Sequence, residues 1–154
     1  MLYSTIYIIQ RLMAYYAIYD GNCNLCVTFV QQLEQVDRGK IFQYIPMQDK
    51  LTLAEFSVTE ADCEQGMMLI NADDPTQRWQ GSAAAEAIGK LLPGVTLAID
   101  LYRWLPGLKW LGDRSYLQIR DNRYNWFGKR NTYFSNYRFE SCHEGKCSPS
   151  SANS

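Results

Sequence analysis

The chain has 154 residues, 47% of them apolar and 14% aromatic, with a net charge of −1, enough for one domain with a proper core. No apolar run approaches the roughly 18–20 residues that span a bilayer, which argues against a membrane span. The five cysteines are an odd number in no regular framework, which argues against a secreted disulfide scaffold and for a reducing compartment, the cytoplasm.

The charge is unevenly spread. Residues 20–100 carry 5 Lys/Arg against 12 Asp/Glu, and residues 103–138 carry 8 Lys/Arg against 2 Asp/Glu. Residues 1–13 form a mildly apolar N-terminal extension, interrupted by Gln10 and Arg11 and lacking a basic n-region, so it does not read as a secretory signal. Met13 stands just before the first convincing strand, so residues 1–12 are expected to be a poorly ordered extension or an over-long start.

Residues 14–20 read as a first strand, buried on both faces and ending at Asp20-Gly21. Two cysteines follow, Cys23 and Cys26, and from there the apolar positions Cys26, Phe29/Val30, Leu33 and Val36 keep a helical period. Arg38-Gly39 supplies the stop. Ile41 to Met47 is a second strand. Thr52-Leu53-Ala54-Glu55 has capping-box spacing and is expected to open a short helix, followed by a turn region from Ser57 to Gln65. Gly66 to Ile70 and Gln77 to Gln80 form a hairpin across Ala72-Asp73-Asp74-Pro75. Gly81-Ser82 precedes an alanine-rich helix stopped by Pro93-Gly94. Two more helical segments follow, 95–105 and about 113–127, separated by Pro106-Gly107, with Asp113 as N-cap of the second and Gly128 at its end. The stretch 129–154 has weak periodicity, and its Ser- and Pro-rich end, 148–154, is expected to be disordered.

The order β-α-β-α-β-β-α predicts an α/β thioredoxin-like core with a helical C-terminal extension. The expected division is an N-terminal extension, 1–13; a domain, 14–130; and a partly disordered tail, 131–154.

The chemistry sits at the strand-to-helix turn. On a helix, residues three apart share a face, so two sulfurs in C-x-x-C can close and reopen a small disulfide ring. The helix N-terminus offers free N–H groups and the positive end of the dipole, which favour a thiolate at Cys23. Such placement lowers a thiol pKa from about 8.5 into the ~3.5–7.5 range. Cys23, nearest the helix start, is therefore the expected attacking thiol and is expected to be exposed; Cys26 is the expected resolving thiol. Asp20, three residues before Cys23, has two readings. It either accepts or relays a proton for the thiols, or it only caps the helix or stabilises the turn through backbone N–H groups.

Two other readings of the cysteines stay open. Cys23 and Cys26 could join C-terminal Cys/His ligands from among Cys142, His143 and Cys147 in a four-ligand zinc site, with an accessory Cys142–Cys147 disulfide or inert thiols as further options. Alternatively the domain is a redox-inert scaffold that binds partners. Cys63 reads as a turn or core residue. The segment 102–139 holds 11 of the 21 aromatics. It reads as helices whose Tyr and Trp rings cover the sheet while Arg and Lys point outward, in preference to a surface for RNA or another anionic partner.

The run Tyr19-Asp20-Gly21-Asn22-Cys23-Asn24-Leu25-Cys26 resembles the DCC family of thiol-disulfide oxidoreductases, named after its Asp and two Cys. Gly81-Ser82-Ala83-Ala84, Leu105-Pro106, Asp113-Arg114-x-Tyr116 and Asn122-Arg123-Tyr124-x-Trp126-Phe127-Gly128 are similar to the family's later motifs, so the resemblance covers about residues 14–130. It implies a thioredoxin-like fold and dithiol–disulfide exchange through Cys23 and Cys26, with Asp20 in support. The partners would be a protein or small-molecule thiol or disulfide and a separate reductant. No organic cofactor is implied and no nucleic acid is expected. The sequence departs from thioredoxin-like practice at Cys63-Glu64-Gln65-Gly66-Met67, where no proline precedes the hairpin strand.

Overall fold

The computed structural model describes residues 15–139, together with 142–143 and 146–147. The N-terminal extension and the Ser- and Pro-rich end at 148–154 lie outside the described residues.

Four strands form the main sheet in the order β2-β1-β3-β4: β1 is Tyr15–Tyr19, β2 Phe42–Pro46, β3 Met68–Asn71 and β4 Arg78–Gln80. β1 runs parallel to β2, with Tyr19 opposite Pro46, and antiparallel to β3, with Ile18 opposite Met68. The parallel pair needs a crossover, and α1 (Asn24–Asp37) supplies it. β1 lies between β2 and β3, paired on both edges, and helices cover both its faces. Ala17 and Tyr19 pack with Phe42, Tyr44 and Leu69 under Val27, Val30 and Leu33 of α1 and Ala84 and Ile88 of a later helix, α4. Ile18 packs with Ile45 and Ile70 on the opposite face, under Leu53, Val58 and Cys63. The alternation along one strand thus builds a helix–sheet–helix sandwich, and Cys63 belongs to the second core.

That second face is covered by two short helices, α2 (Lys50–Glu55) and α3 (Glu60–Glu64). α2 opens three residues earlier than the Thr52 motif implies, because Asp49 is the cap: its Oδ1 accepts the Thr52 N–H at 3.2 Å. The reciprocal capping box instead lies at Thr59 and Asp62, inside the segment read from sequence as a turn. β3 starts at Met68 rather than Gly66, because Gly66 has φ +124 and cannot continue an extended strand.

α4 (Ser82–Leu91) completes the thioredoxin-like core, and α5 (Thr96–Trp104) and α6 (Leu108–Phe127) form its helical extension. α6 begins at Leu108, directly after the left-handed Gly107. Asp113 is therefore not a cap. It sits one turn inside, ion-paired to Lys109 at 3.1 Å. The tryptophans of this region do not cover the sheet: α5 buries no residue, and Trp104, Trp110 and Trp126 are exposed. Rings from the next segment do pack, since Tyr133 and Tyr137 lie against the first core and Phe139 against the second. Residues 137–139 also run beside β2, where Tyr44 N–H donates to the Tyr137 carbonyl and Phe139 N–H to the Tyr44 carbonyl, both at 3.1 Å. Cys142–His143 (β5) and Lys146–Cys147 (β6) pair as a separate two-stranded ladder. Among the described residues no helix is long and apolar enough to cross a membrane.

Candidate active site

β1 delivers the chain to a turn, Asp20-Gly21-Asn22, that leads into α1 with Cys23 at the N-cap. Asp20 builds this turn: its Oδ1 accepts the Asn22 N–H at 2.9 Å, an Asx-type closure. Gln48, just after β2, locks it from the side. Its Nε2 donates to Asp20 Oδ1 at 2.9 Å, and its Oε1 accepts the Gly21 N–H at 3.0 Å. A Cβ at Gly21 would meet that same Oε1 at 2.9 Å and the Tyr133 carbonyl at 3.1 Å, so the close approach needs glycine.

Cys23 and Cys26 are both free thiols, and the turn sets them side by side. The Cys26 thiol and the backbone N–H groups of Cys26 and Leu25 at the helix start favour a thiolate on Cys23. Free N–H groups at a helix start are available for this because no intrahelical carbonyl uses them. The Cys26 thiol has the largest influence. With those N–H groups and the nearby Arg123 guanidinium, it outweighs burial and lowers Cys23 to about 6. Cys26 moves the opposite way, because the neighbouring Cys23 and burial both disfavour its charge.

The second half of the site comes from the far end of α6. Arg123 Nη2 lies 3.2 Å from Asp20 Oδ2, and the Tyr124 hydroxyl donates to the same oxygen. Asp20 is 4% exposed and Arg123 7%. Burial and the neighbouring Asp20 carboxylate push the Tyr124 hydroxyl up to about 12, so it stays a donor. Both oxygens of Asp20 are thus engaged, Oδ1 with Asn22 N–H and Gln48 and Oδ2 with Arg123 and Tyr124.

Cys23 departs from expectation in one respect: it is 0% exposed. After α6 the chain reverses at Gly128 (φ 81) and crosses the first turn of α1 as a strap, residues 128–133. Asn24 N–H donates to the Gly128 carbonyl at 3.3 Å, Arg130 N–H to the Asn22 carbonyl at 2.9 Å, and Tyr133 N–H to the Gly21 carbonyl at 2.9 Å. Cys23 and Lys129 face each other as an isolated antiparallel bridge. Cys26 is half-buried and borders a cavity of about 210 Å³ between α1, α4 and α6.

The sequence motifs meet around this cavity. The Tyr116 hydroxyl accepts the Met67 N–H at 3.3 Å, its ring lies 3.3 Å from where a Cβ on Gly81 would stand, and the Ser82 hydroxyl and Lys109 hold the Asp113 carboxyl below its usual range. Roles for Gln48, Arg123, Tyr124 and Lys129 are not evident from sequence. The signal present for Arg123 is indirect: a carboxylate at the end of a buried strand needs a cation, and the basic surplus lies in 103–138.

Among the described residues no three His, Cys, Asp or Glu side chains cluster as a metal site. The C-terminal residues of the alternative zinc set, Cys142, His143 and Cys147, are described in backbone only, with Cys142 opposite Cys147 in the ladder.

A family model described as DCC1-like thiol-disulfide oxidoreductase matches residues 17–129. The uncharacterized protein YuxK of Bacillus subtilis (strain 168) is 29% identical over 126 residues, which cover 74% of this chain and 81% of that protein. No solved structure matches the chain significantly.

Proposed function

We propose that this chain, which belongs to the DCC1-like thiol-disulfide oxidoreductase family, performs dithiol–disulfide exchange through Cys23 and Cys26. The observation that carries this reading is the placement of two free thiols, Cys23 at the N-cap of α1 and Cys26 one turn in, where the helix-start N–H groups and Cys26 support a thiolate on Cys23 while Cys26 keeps its proton.

The Cys23 thiolate attacks one sulfur of a substrate disulfide. The substrate S–S bond breaks, one thiolate leaves, and a mixed disulfide forms at Cys23. Cys26 then loses its proton and attacks the Cys23 sulfur, closing the Cys23–Cys26 disulfide and releasing the second thiol. Two electrons pass from the protein to the substrate, and a dithiol reductant returns them by the same steps in reverse. Asp20 acts as a positioning residue, holding the turn and keeping Arg123 beside the sulfurs. The strap lifts from Cys23 before attack. A reducing compartment, the cytoplasm, keeps such a pair in its dithiol form.

The test is a redox titration of the purified, metal-quantified protein, with differential alkylation read by peptide mass. A reversible Cys23–Cys26 disulfide with a potential between about −270 and −120 mV, the span of known exchange proteins, supports the reading. A pair that resists alkylation until a chelator is added, with one bound zinc per chain, overturns it.

A further inference from the structure

The cavity beside Cys26 is apolar, and the backbone edge next to it is already occupied. Its walls include Leu25, Phe29, Met67, Ala85 and Ile119. Two guanidiniums reach it, Arg120 and Arg123, but neither is free for an anion. Arg123 is paired to Asp20 at 3.2 Å. Arg120 is paired to Asp121 at 2.9 Å and donates to the Gln65 carbonyl at 3.3 Å.

An extended peptide binds a sheet edge through main-chain hydrogen bonds. Here the candidate groups beside the cysteines are spent within the fold. Met67 N–H donates to the Tyr116 hydroxyl, and the Met67 carbonyl accepts the Gly81 N–H at 2.8 Å. Tyr116 also closes the approach over Gly66, where a Cβ would meet its hydroxyl at 2.6 Å. What remains is an apolar recess of about 210 Å³. For scale, an apolar cavity of about 150 Å³ takes up benzene, so this one holds a single ring or a branched alkyl group.

From this we infer that the cavity between Cys26 and Tyr116 is a substrate pocket for small organic disulfides carrying an aromatic or branched apolar group, with peptide disulfides excluded from backbone pairing. The inference rests on the exchange reading and names its substrate class. The apolar group enters the pocket and brings the disulfide to the cysteine pair. The reduced pair supplies both electrons, closing the Cys23–Cys26 disulfide as the substrate S–S bond breaks and two substrate thiols leave.

The experiment is single-turnover oxidation of the reduced protein by three disulfides: dipyridyl disulfide, hydroxyethyl disulfide and an oxidised linear peptide. Each rate is divided by that disulfide's rate with free dithiothreitol, which removes intrinsic reactivity. The protein is expected to favour dipyridyl over hydroxyethyl disulfide by about tenfold or more beyond dithiothreitol, from burial of the ring. Ala85→Phe, which fills the pocket, and Ile119→Glu, which places a charge in its wall, should each return the ratio to that of dithiothreitol. A wild-type preference no greater than dithiothreitol's, a ratio unmoved in both variants, or a faster normalised rate with the peptide overturns the pocket while leaving exchange intact. If none of the three oxidises the Cys23–Cys26 pair, the exchange reading falls, and the pocket with it.

Discussion

Arg123 Nη2 lies 3.2 Å from Asp20 Oδ2, with 9% and 2% of the two side chains exposed. The contact ties the last turns of α6 to the end of β1 and brings a positive charge to the edge of the cysteine turn. A buried ion pair is tolerated where further hydrogen bonds satisfy its remaining atoms. Asn22, Gln48 and Tyr124 do that for the carboxylate. The pair thus couples the helical extension to the cysteine turn, so α6 helps hold the candidate site in place.

Replacing Arg123 by Met leaves Asp20 buried without its cation. Removing one partner of a buried pair costs about 3–5 kcal/mol, lessened here by the three neutral donors that remain. Urea denaturation of the reduced protein measures the loss. The double variant Asp20→Asn/Arg123→Met should recover part of it, since neither charge is then stranded. Losses that simply add would show that the two side chains do not interact energetically.

Asp20→Asn keeps the shape of the turn but removes the counter-charge of Arg123. Arg123 lowers the Cys23 pKa, so a guanidinium no longer neutralised should lower it further. The pH–rate profile of iodoacetamide alkylation at Cys23 should shift to lower pH than in the wild type. An unchanged profile would mean that the carboxylate has no electrostatic hold on the thiols, and would also remove any proton-relay role for Asp20.

The candidate cysteine turn is legible because it is local. Two sulfurs three residues apart at a helix start need nothing distant to be recognised, and the alternation of β1 and the period of α1 locate the turn between them. What could not be read is long-range. Arg123 meets Asp20, and Lys129 meets Cys23, across more than a hundred residues of chain, and no periodicity encodes such a contact. The strap has no regular pattern of its own because its partners are backbone groups of Gly21, Asn22 and Asn24. The same reason hides α3: its five residues are too few for a helical period to show, and only the Thr59–Asp62 box marks it. The tryptophans of α5 and α6 were misread because an aromatic-rich amphipathic segment looks alike whether its rings face a core or solvent.

The strap makes access to Cys23 a conformational event. Gly128 sits at φ 81 and ψ 177, a region essentially confined to glycine, where a side chain costs about 1–3 kcal/mol. Its added Cβ would also meet Asn24 Nδ2 at 3.2 Å. Gly128→Ala should therefore weaken the closed strap and raise the alkylation rate of Cys23, by about tenfold if the closed state loses about 1.4 kcal/mol. The pH midpoint of the reaction should stay in place, because the groups that lower Cys23, the start of α1 and Arg123 of α6, lie outside the strap. An unchanged rate would show that reagents reach Cys23 by a path that does not pass the strap.

The cysteine pair also predicts how stability depends on pH. Cys23 has a folded-state pKa of about 6, against about 8.5 for an ordinary thiol in the unfolded chain. Between these values the unfolded state holds a proton that the folded state has released, so stability rises with pH across this window. The contribution is fully present above about pH 8.5 and is lost as pH falls through about 6, with a slope of at most about 1.4 kcal/mol per pH unit. Cys26 is shifted upward and works with the opposite sign: its contribution is present below about pH 8.5 and declines only above it, so it does not cancel the effect of Cys23 within the window. Other groups titrate in the same range, and comparison with Cys23→Ser removes them. Urea titrations of both proteins under a non-thiol reductant should show the wild type gaining on the variant as pH rises from about 6 to 8.5. The gain should vanish once the Cys23–Cys26 disulfide is formed, because no thiol is left to ionise. Wild-type and Cys23→Ser curves that stay parallel would show that Cys23 titrates as an ordinary thiol, and with that the thiolate on which the exchange reading rests would be lost.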